Sequence, residues 1–491
     1  MIDRKVDLST FSRVQKDMVA KNDQALDEFY STRYVHHLRN YTCEEIEQII
    51  NSNSLAEQQA LSRNYFDKDG FYKQIILYYA TLLTYSGLLI PNPSFGKELS
   101  TSQKKKYYAA LEYLEGLELS ELLTRISLKT LIYGSYYGVI KVLNKDECVI
   151  FDLPIDYSRS RFTDIHGNDI VEFDVSYFNT IIDESNRKEI LDTYPSIISS
   201  YYNKFKKGKV STSWLTLPAE IGICFTFFDD GRPMFLNIIP ASIQYDESVD
   251  TERERQLDEI RKILVQKIPH LTTGELLFEP EEALEMHKGA VNMMKGNKNL
   301  SVLTTYADVD AIISKTAADN SSTSLEKMLQ NVYANGGVSE QIFSPTGTQA
   351  LPISIKNDIS LMMILGNKYS RFITYILNSV FANGTLKFKY LILSISEYTK
   401  SDFITDALKL AQSGFSYLLP ALGLGLNQLE LVNIKNLEND TLKLKEMLIP
   451  LSSSYTETSG KVGRPAKNLE EKSQKTIQNE EALDHQGGSN E

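Results

Sequence analysis

The sequence predicts an α+β protein in which a β-rich module interrupts a mostly helical chain. Apolar residues recur at helical spacing from Leu111 to Leu122, and they do so again within 251–269. Between these stretches, short runs of alternating apolar and polar residues flank the turn-forming segments 144–147 and 166–169. The change from a helical to an alternating period therefore marks a boundary near residue 130.

Residues 1–130 are predicted to be helical. Thr42 is a candidate N-cap, because Glu45 three residues later completes a capping box. The helical period is expected to end at Gly134, since glycine commonly follows the last helical residue. The most apolar run, 75–90, is short for a bilayer span and contains three tyrosines, so we predict a buried helix there and no membrane partner.

Residues 131–250 are predicted to form a β-rich module. Hairpins are expected around 144–147 and 166–169, where Gly, Asn and Asp separate two alternating runs. A helical stretch near 185–205 and a strand at 221–228 are expected to complete the module.

Two long helices are predicted next, at 251–269 and 321–337. The first has five basic and four acidic residues, a net charge of +1. The second is expected to begin with a capping box of Thr323 and Glu326 and to stop at 335–337. Each has a thin apolar stripe, formed by Leu257, Ile260, Leu264 and Ile268 in the first helix and by Leu325, Met328 and Val332 in the second. A thin stripe cannot fill a core alone, so we expect these helices to pack against neighbours in this chain or in copies of it.

A compact αβ insert, 270–320, is predicted between the two helices. A helix is expected to start near Pro280, and the alternating run 300–313 predicts a strand. The insert has eight acids against four lysines, a net charge of −4.

The rest of the chain is divided into a loop region at 338–360, a long helix with a strand at 361–394, a helical region at 395–454 and a disordered tail at 455–491. Small polar residues and two prolines predict an exposed loop at 343–354. The long helix is expected to bend near Gly366. In the helical region, one helix is expected to run from an N-cap at Ser401 to Gly414.

Charge and motifs narrow the function classes. With 64 acidic and 52 basic residues the formal charge is −12, which argues against a protein that holds nucleic acid tightly. Three separated cysteines without a CxxC motif indicate thiols in a reducing compartment, and the N-terminal segment lacks a secretory signal. Phosphate-loop and HExxH motifs are absent, so an enzyme is the less favoured class and no cofactor is expected.

Three carboxylates in the β-rich module keep an enzymatic alternative open. Asp152, Asp156 and Asp174 are candidate Mg²⁺ ligands for phosphoryl transfer. The simpler interpretation is that Asp152 lies in a turn and that the other two are solvated or hydrogen-bonded. Adjacent His36 and His37 are poor candidates for a metal pair, because neighbouring helical residues point in different directions.

The tail contains the sequence GKVGRPAK at 460–467. Gly-Arg-Pro beside lysines is typical of a hook that lies in the DNA minor groove. Such hooks have a second Arg where Val462 stands, and 455–491 has seven acids against five bases. We therefore expect a flexible end whose contact with DNA, if any, is weak and independent of sequence.

Taken in order, these segments resemble a portal (head–tail connector) protein of a tailed bacteriophage, of the siphophage type. The resemblance covers about 110–467. The stretches that carry it are 134–178, 264–269, 331–358, 386–414 and 459–467.

The resemblance implies a homo-oligomeric ring, usually of twelve copies, at one vertex of the virion capsid. Double-stranded DNA passes through such a ring during packaging and ejection. The subunits are made in the bacterial cytoplasm, and the ring meets major capsid and scaffolding proteins. The parts of the chain would be a wing at 1–250 and 361–394, a stem at 251–269 and 321–337, a clip at 270–320, a tunnel loop at 343–354 and a crown beyond 395.

The resemblance also assigns roles to particular residues. The clip would contact the terminase large subunit and later the head–tail adaptors, through Glu281, Glu282, His287, Lys288, Lys295 and Lys298. The tunnel loop would offer Ser344, Thr346, Thr348 and Gln349 to passing DNA, with Lys356 as the nearest cation. A different structural head or tail protein of a phage remains the alternative within the same class.

Overall fold

The computed structural model describes residues 41–93, 98–144, 147–260, 262–267, 300–305, 321–343, 351–381 and 386–444, with isolated helical positions between 282 and 292. Within these ranges helices and strands are mixed, which confirms the α+β class. The chain divides into two compact units, 1–431 and 432–491, and the second is described only at 432–444.

The first described elements are the helices α1 (Cys43–Asn51), α2 (Leu55–Lys68) and α3 (Gly70–Leu82). The capping box predicted for α1 is confirmed. The Thr42 N–H donates to Glu45 Oε2 at 3.0 Å, and the Glu45 N–H donates to Thr42 Oγ1 at 3.3 Å.

The buried helix predicted for 75–90 is correct only in its first half. Helix α3 ends at Leu82, and strand β1 follows at Gly87–Pro93. Strand β1 pairs antiparallel with β10 (Leu386–Ile392), so burial in a sheet explains the second apolar half. Among the described residues, no helix is both long and apolar enough to cross a membrane.

Two helices, α4 (Thr101–Gly116) and α5 (Leu119–Tyr133), occupy the stretch predicted as one. The break lies at Glu118, whose φ of 46° is left-handed. Apolar spacing continues across the break, so periodicity alone did not reveal it. Gly134 ends α5 as predicted, with φ at 76°.

The β-rich module contains two three-stranded sheets, and both predicted hairpins are confirmed as antiparallel pairs. The strands are β2 (Ser135–Asn144), β3 (Glu147–Asp152), β4 (Ser158–Thr163), β5 (Asp169–Asp174), β6 (Trp214–Thr216) and β7 (Gly222–Thr226). One sheet has the order β3-β2-β7 and the other β4-β5-β6. Helices α6 (Glu184–Thr193) and α7 (Ser196–Lys206) account for the helical stretch predicted near 185–205.

Helix α8 spans Ile238–Ile260, which corrects the predicted helix at 251–269 at both ends. Its first thirteen residues had been assigned to the β-rich module. The predicted last turns form strand β8 (Lys262–Lys267), which pairs in parallel with β9 (Leu300–Thr305). Leu264 is therefore a strand residue. Consecutive apolar Ile263, Leu264 and Val265 fit a short strand as well as a helix turn, and two of them are β-branched.

Helix α9 spans Ser321–Asn335 and helix α10 spans Leu351–Phe381. Thr323 lies inside α9, so the predicted capping box is misplaced, whereas the stop at Asn335 is confirmed. The loop predicted for 343–354 is too long, because α10 already begins at Leu351. Pro352 is tolerated there because the first helical turn needs no N–H donor at that position.

Within the described residues, β10 is followed by the α-helices α11 (Lys400–Gln412), α12 (Leu418–Gly423) and α13 (Gln428–Asn436) and by a π-helical stretch at Leu437–Thr441. Helix α11 begins after Thr399, so Ser401 is not its N-cap. The predicted tail at 455–491, including 460–467, lies outside the described residues.

Candidate functional site

Helices α8 and α9 pack against each other and form what we call the helical arm, Ile238–Ile260 with Ser321–Asn335. A methyl group on Gly336, just after α9, would lie 3.0 Å from Ile238 Cδ1 at the start of α8. The end of one helix thus meets the start of the other, so the two run antiparallel. Strand β8 begins two residues after α8 ends, at the end of the arm away from Gly336.

The root of the arm is fixed in the main core. Ile238, Val332 and Tyr333 are buried there. The Tyr333 ring stacks on Phe343 at 5.2 Å and meets the edge of Phe71 at 6.0 Å, centroid to centroid. These contacts hold the arm at one end.

The outer arm has almost no core of its own. From 244 to 256 on α8, none of the side chains described is buried. Val249 is 37% exposed and Met328 is 38% exposed, although both are apolar. Of the predicted stripe, Val332 is buried, Leu325 is half-buried and Met328 is exposed. The side chains of Leu257 and Ile260, and all of Ile268, lie outside the described part.

The far end of the arm carries the parallel pair β8–β9, in register from Lys262 with Leu300 to Lys267 with Thr305. Of the predicted clip residues, Glu282 and Lys288 are helical and exposed. The others lie outside the described residues: Glu281, His287, Lys295 and Lys298.

The corrected boundaries change the charge of the arm. Helix α8 contains seven acids and two arginines, a net charge of −5, in place of the +1 predicted for 251–269. Three basic residues of 251–269 follow the end of α8 at Ile260. Three acidic residues of α8 precede residue 251 and lie outside the predicted helix. Partial burial, together with Asp69 and Asp250, raises the pKa of Asp246, as expected in an acidic surrounding.

The predicted tunnel-loop residues Ser344, Thr346, Thr348 and Gln349 lie outside the described residues. Lys356 lies on α10, where its side chain is exposed and its carbonyl accepts a bond from Ser360 Oγ at 2.9 Å. Two residues further on, Asp358 is buried under Tyr78 and Tyr79 of α3. The tyrosine hydroxyls donate to its carboxylate at 2.9 Å and 3.2 Å. Burial raises the pKa of Asp358, and this anchor was not predicted from the sequence.

The alternative metal site at Asp152, Asp156 and Asp174 is not formed. Asp152 pairs with Lys129 and accepts a bond from the Tyr136 hydroxyl at 2.6 Å. Asp174 caps a short 3₁₀ helix by accepting from the Ser176 N–H at 3.0 Å. Within the described ranges, no group of three His, Cys, Asp or Glu residues is placed to hold a metal.

A charge cluster around one buried carboxylate in the β-rich module was also not predicted from the sequence. Glu172 on β5 is buried and accepts from Arg159 Nε at 2.8 Å and from Arg161 Nε at 2.7 Å. The Arg159 guanidinium lies 3.6 Å from the centroid of the Trp214 ring. The two arginines lower the pKa of Glu172, so this cluster joins β4, β5 and β6 as a structural unit.

No known protein-family model matches this chain, and no curated protein matches it significantly.

Proposed function

We propose that this chain is a portal subunit of a tailed bacteriophage, and that many copies close into a ring around a channel for double-stranded DNA. DNA is packaged through the channel and later ejected through it. The protein is then a structural component of the virion at one capsid vertex, and it catalyses no reaction.

The observation that carries this proposal is the helical arm, whose described side chains are buried only near its root. The outer part of α8, 244–260, is about 25 Å long at 1.5 Å per residue. In one copy, α8 packs mainly against α9, with smaller contacts to α1 and α3 that include the Tyr245 ring against Phe71 at 5.4 Å, centroid to centroid. Further along α8, Val249 is left exposed. Identical arms standing side by side in a ring would cover such exposed side chains, as neighbouring helices do in a bundle.

The charge of the arm suits a channel through which DNA slides. Each phosphate neutralised by a cation adds affinity through counterion release, and a ring repeats every such contact in each copy. Helix α8 has a net charge of −5 in each copy, so it would not bind the phosphates and slow the movement of the DNA. Lys356, exposed near the start of α10, is the proposed damper on slippage of the DNA.

The far end of the arm is the proposed contact with other packaging components. It carries the β8–β9 pair and exposed charges such as Glu282 and Lys288. In a ring these ends form one rim, which would receive the terminase large subunit first and the head–tail adaptors later. Major capsid and scaffolding proteins would meet the outer parts of the ring.

Negative-stain electron microscopy of the purified chain tests the proposal. We expect rings with a central opening. Val249→Glu together with Met328→Glu should abolish the rings without lowering the melting temperature of the single chain, because both residues lie on the outer arm. The matched control is Val142→Glu on β2, an apolar residue that is 67% exposed away from the arm. Single particles without an opening, under all salt conditions tried, would refute the proposal.

Two alternatives give different results in the same preparation. A different phage head or tail protein would assemble without a closed ring of fixed size. A metal-dependent phosphoryl-transfer enzyme would cleave DNA or ATP in the presence of Mg²⁺. The pairing of Asp152 with Lys129 and the capping role of Asp174 support structural roles for these two carboxylates.

A further inference from the structure

Tyr78 of α3 contacts the chain on both sides of the predicted tunnel loop. Its ring and the Phe343 ring stand edge to face, with 5.7 Å between their centroids. Its hydroxyl donates to Asp358 Oδ2 at 2.9 Å. Phe343 is the last described residue before 344–350, and Asp358 lies in the second turn of α10, which begins at Leu351. One side chain therefore joins the segment before the loop to the helix after it.

Phe343 belongs to the root of the helical arm. Its ring stacks on Tyr333 of α9 at 5.2 Å, centroid to centroid. Its N–H donates to the Glu340 carbonyl at 3.0 Å, at the end of a short 3₁₀ turn that follows α9. The turn and the stacked ring fix the position of Phe343 relative to α9. A contact made by Phe343 is thus a contact made by the arm.

Asp358 holds the start of α10 in the core. Its side chain is buried, as are those of Ile355 and Ile359 on either side. Tyr79 also donates to the carboxylate, at 3.2 Å, and the Tyr79 ring stacks on Phe235 at 5.0 Å. Tyr79 therefore strengthens this anchor, whereas Tyr78 links it to the arm.

The length of the connecting chain does not fix the distance between the arm root and α10. Eight peptide units join Phe343 to Leu351, and a fully extended chain of that length spans up to about 28 Å. A connection of this reach is compatible with many positions of α10 relative to the arm. Packing contacts must set that position, and the contact at Tyr78 touches both sides of the connection directly.

We infer that Tyr78 is a positioning residue that couples the start of α10 to the root of the arm. This inference rests on the proposed ring, in which the arms form the stem and 344–350 forms the narrowest part of the channel. Each copy then attaches 344–350 at the same place relative to its arm. A shift of the arm root reaches α10 through the Phe343 ring, the Tyr78 ring and the hydroxyl that is bonded to Asp358.

Coupling of this kind differs measurably from an ordinary contribution to core stability. Two independent anchors respond separately, so loosening the arm root leaves the start of α10 unchanged. Two coupled anchors respond together, and the coupling acts in both directions. The shared response is lost when the group that joins the anchors is removed.

Amide hydrogen exchange of the full chain, followed by mass spectrometry, measures the local opening of each segment. Phe343→Leu removes the ring that Tyr78 meets, so it should raise the exchange rates within 338–343. It should also raise the rates within 351–358 roughly 5-fold or more, as expected for coupled neighbours. Asp358→Ala should in turn raise the rates within 338–343.

Tyr78→Phe removes the link to Asp358 and keeps the aromatic ring. In this background, Phe343→Leu should change the rates within 351–358 by less than about 2-fold. The matched control is Tyr72→Phe on the same helix, which removes a buried hydroxyl that is bonded to Ser62 Oγ at 2.7 Å. In the control background, the effect of Phe343→Leu on 351–358 should be as large as in the wild-type chain.

An effect of Phe343→Leu that stays within 338–343 would overturn this inference. So would an effect on 351–358 that persists in Tyr78→Phe, because a different contact would then transmit it. Both results leave the ring proposal standing. A wild-type chain that forms no ring would overturn the proposed channel, and with it the role of Tyr78 there, without changing these exchange rates.

Discussion

The buried carboxylate of Asp358 gives a quantitative test of how α10 is anchored to α3. Its two oxygens accept hydrogen bonds from Tyr78 at 2.9 Å and from Tyr79 at 3.2 Å, and all three side chains are buried. We consider Asp358→Ala, which removes both acceptors and leaves the two hydroxyls in place.

The expected loss of stability depends on a difference between two free energies. Leaving a buried hydroxyl without an acceptor costs more than a typical hydrogen bond contributes to stability. Each buried hydroxyl without an acceptor costs about 1–3 kcal/mol. Part of this is offset, because the variant no longer keeps a carboxylate out of water. We therefore expect Asp358→Ala to lower the free energy of unfolding by about 2–4 kcal/mol. Replacing all three groups, as Asp358→Leu with Tyr78→Phe and Tyr79→Phe, should cost less than about 1.5 kcal/mol, because no polar group is then left unpaired.

The pH dependence of the free energy of unfolding tests the role of Asp358 independently. Because burial raises the pKa of Asp358 in the folded chain, the folded state holds its proton at a pH where the unfolded state has already lost it. This carboxyl therefore costs stability at neutral pH. That cost falls as the pH drops through the folded pKa toward the unfolded value near 4. Asp358→Asn should remove this contribution and should show a flatter stability profile than wild type between about pH 7 and pH 4.

Urea denaturation of the variants, followed by circular dichroism at fixed protein concentration, measures both effects. The reasoning is refuted if the triple variant is destabilised as much as Asp358→Ala. It is also refuted if Asp358→Asn follows the wild-type pH profile, because the anchor would then contribute through packing alone.

Two further predictions concern the β-rich module. Gly134→Ala should destabilise the fold by more than about 3 kcal/mol, because the residue is left-handed and a Cβ would lie 2.2 Å from the Gly231 carbonyl oxygen. Gly208→Ala, also left-handed but with no atom within 4 Å, should cost only about 1 kcal/mol, and equal melting temperatures for the two would contradict the steric account. For Asp152, burial favours the neutral acid, but Lys129 and the hydrogen bonds outweigh it and hold the pKa below its ordinary value. Asp152→Asn should therefore lower the free energy of unfolding by about 2–4 kcal/mol at pH 7. This loss should become smaller below about pH 4, where the wild-type carboxylate is protonated. A loss that does not change with pH would rule out the ion pair as its cause.

Local signals explain what could be predicted from the sequence. The capping box at Thr42 and the helix stop at Gly134 depend on residues next to each other, and both are confirmed. The hairpins around 144–147 and 166–169 also involve neighbouring runs. The predicted boundary between α8 and β8 was wrong for the opposite reason. The apolar run Ile263–Val265 fits both a helix and a strand, and it forms a strand because it pairs with β9, which begins at Leu300.

The missed anchors depend on contacts between distant residues. Asp358 and Tyr78 are 280 positions apart, so no local pattern joins them. An isolated aspartate on an apolar helix face, between Ile355 and Ile359, was the available signal for a buried carboxylate. The acidic character of α8 was missed only through its boundary, because its seven acids were visible in the sequence.

Native mass spectrometry of the intact chain tests the central claim, that copies close into a ring through their exposed arms. One dominant species at a fixed multiple of the 55.7 kDa subunit, near 668 kDa for twelve copies, is the result we predict. The Val249→Glu, Met328→Glu variant should shift this species to the single subunit. A wild-type spectrum that contains only the 55.7 kDa chain, or an open series of sizes without a limit, would contradict the claim.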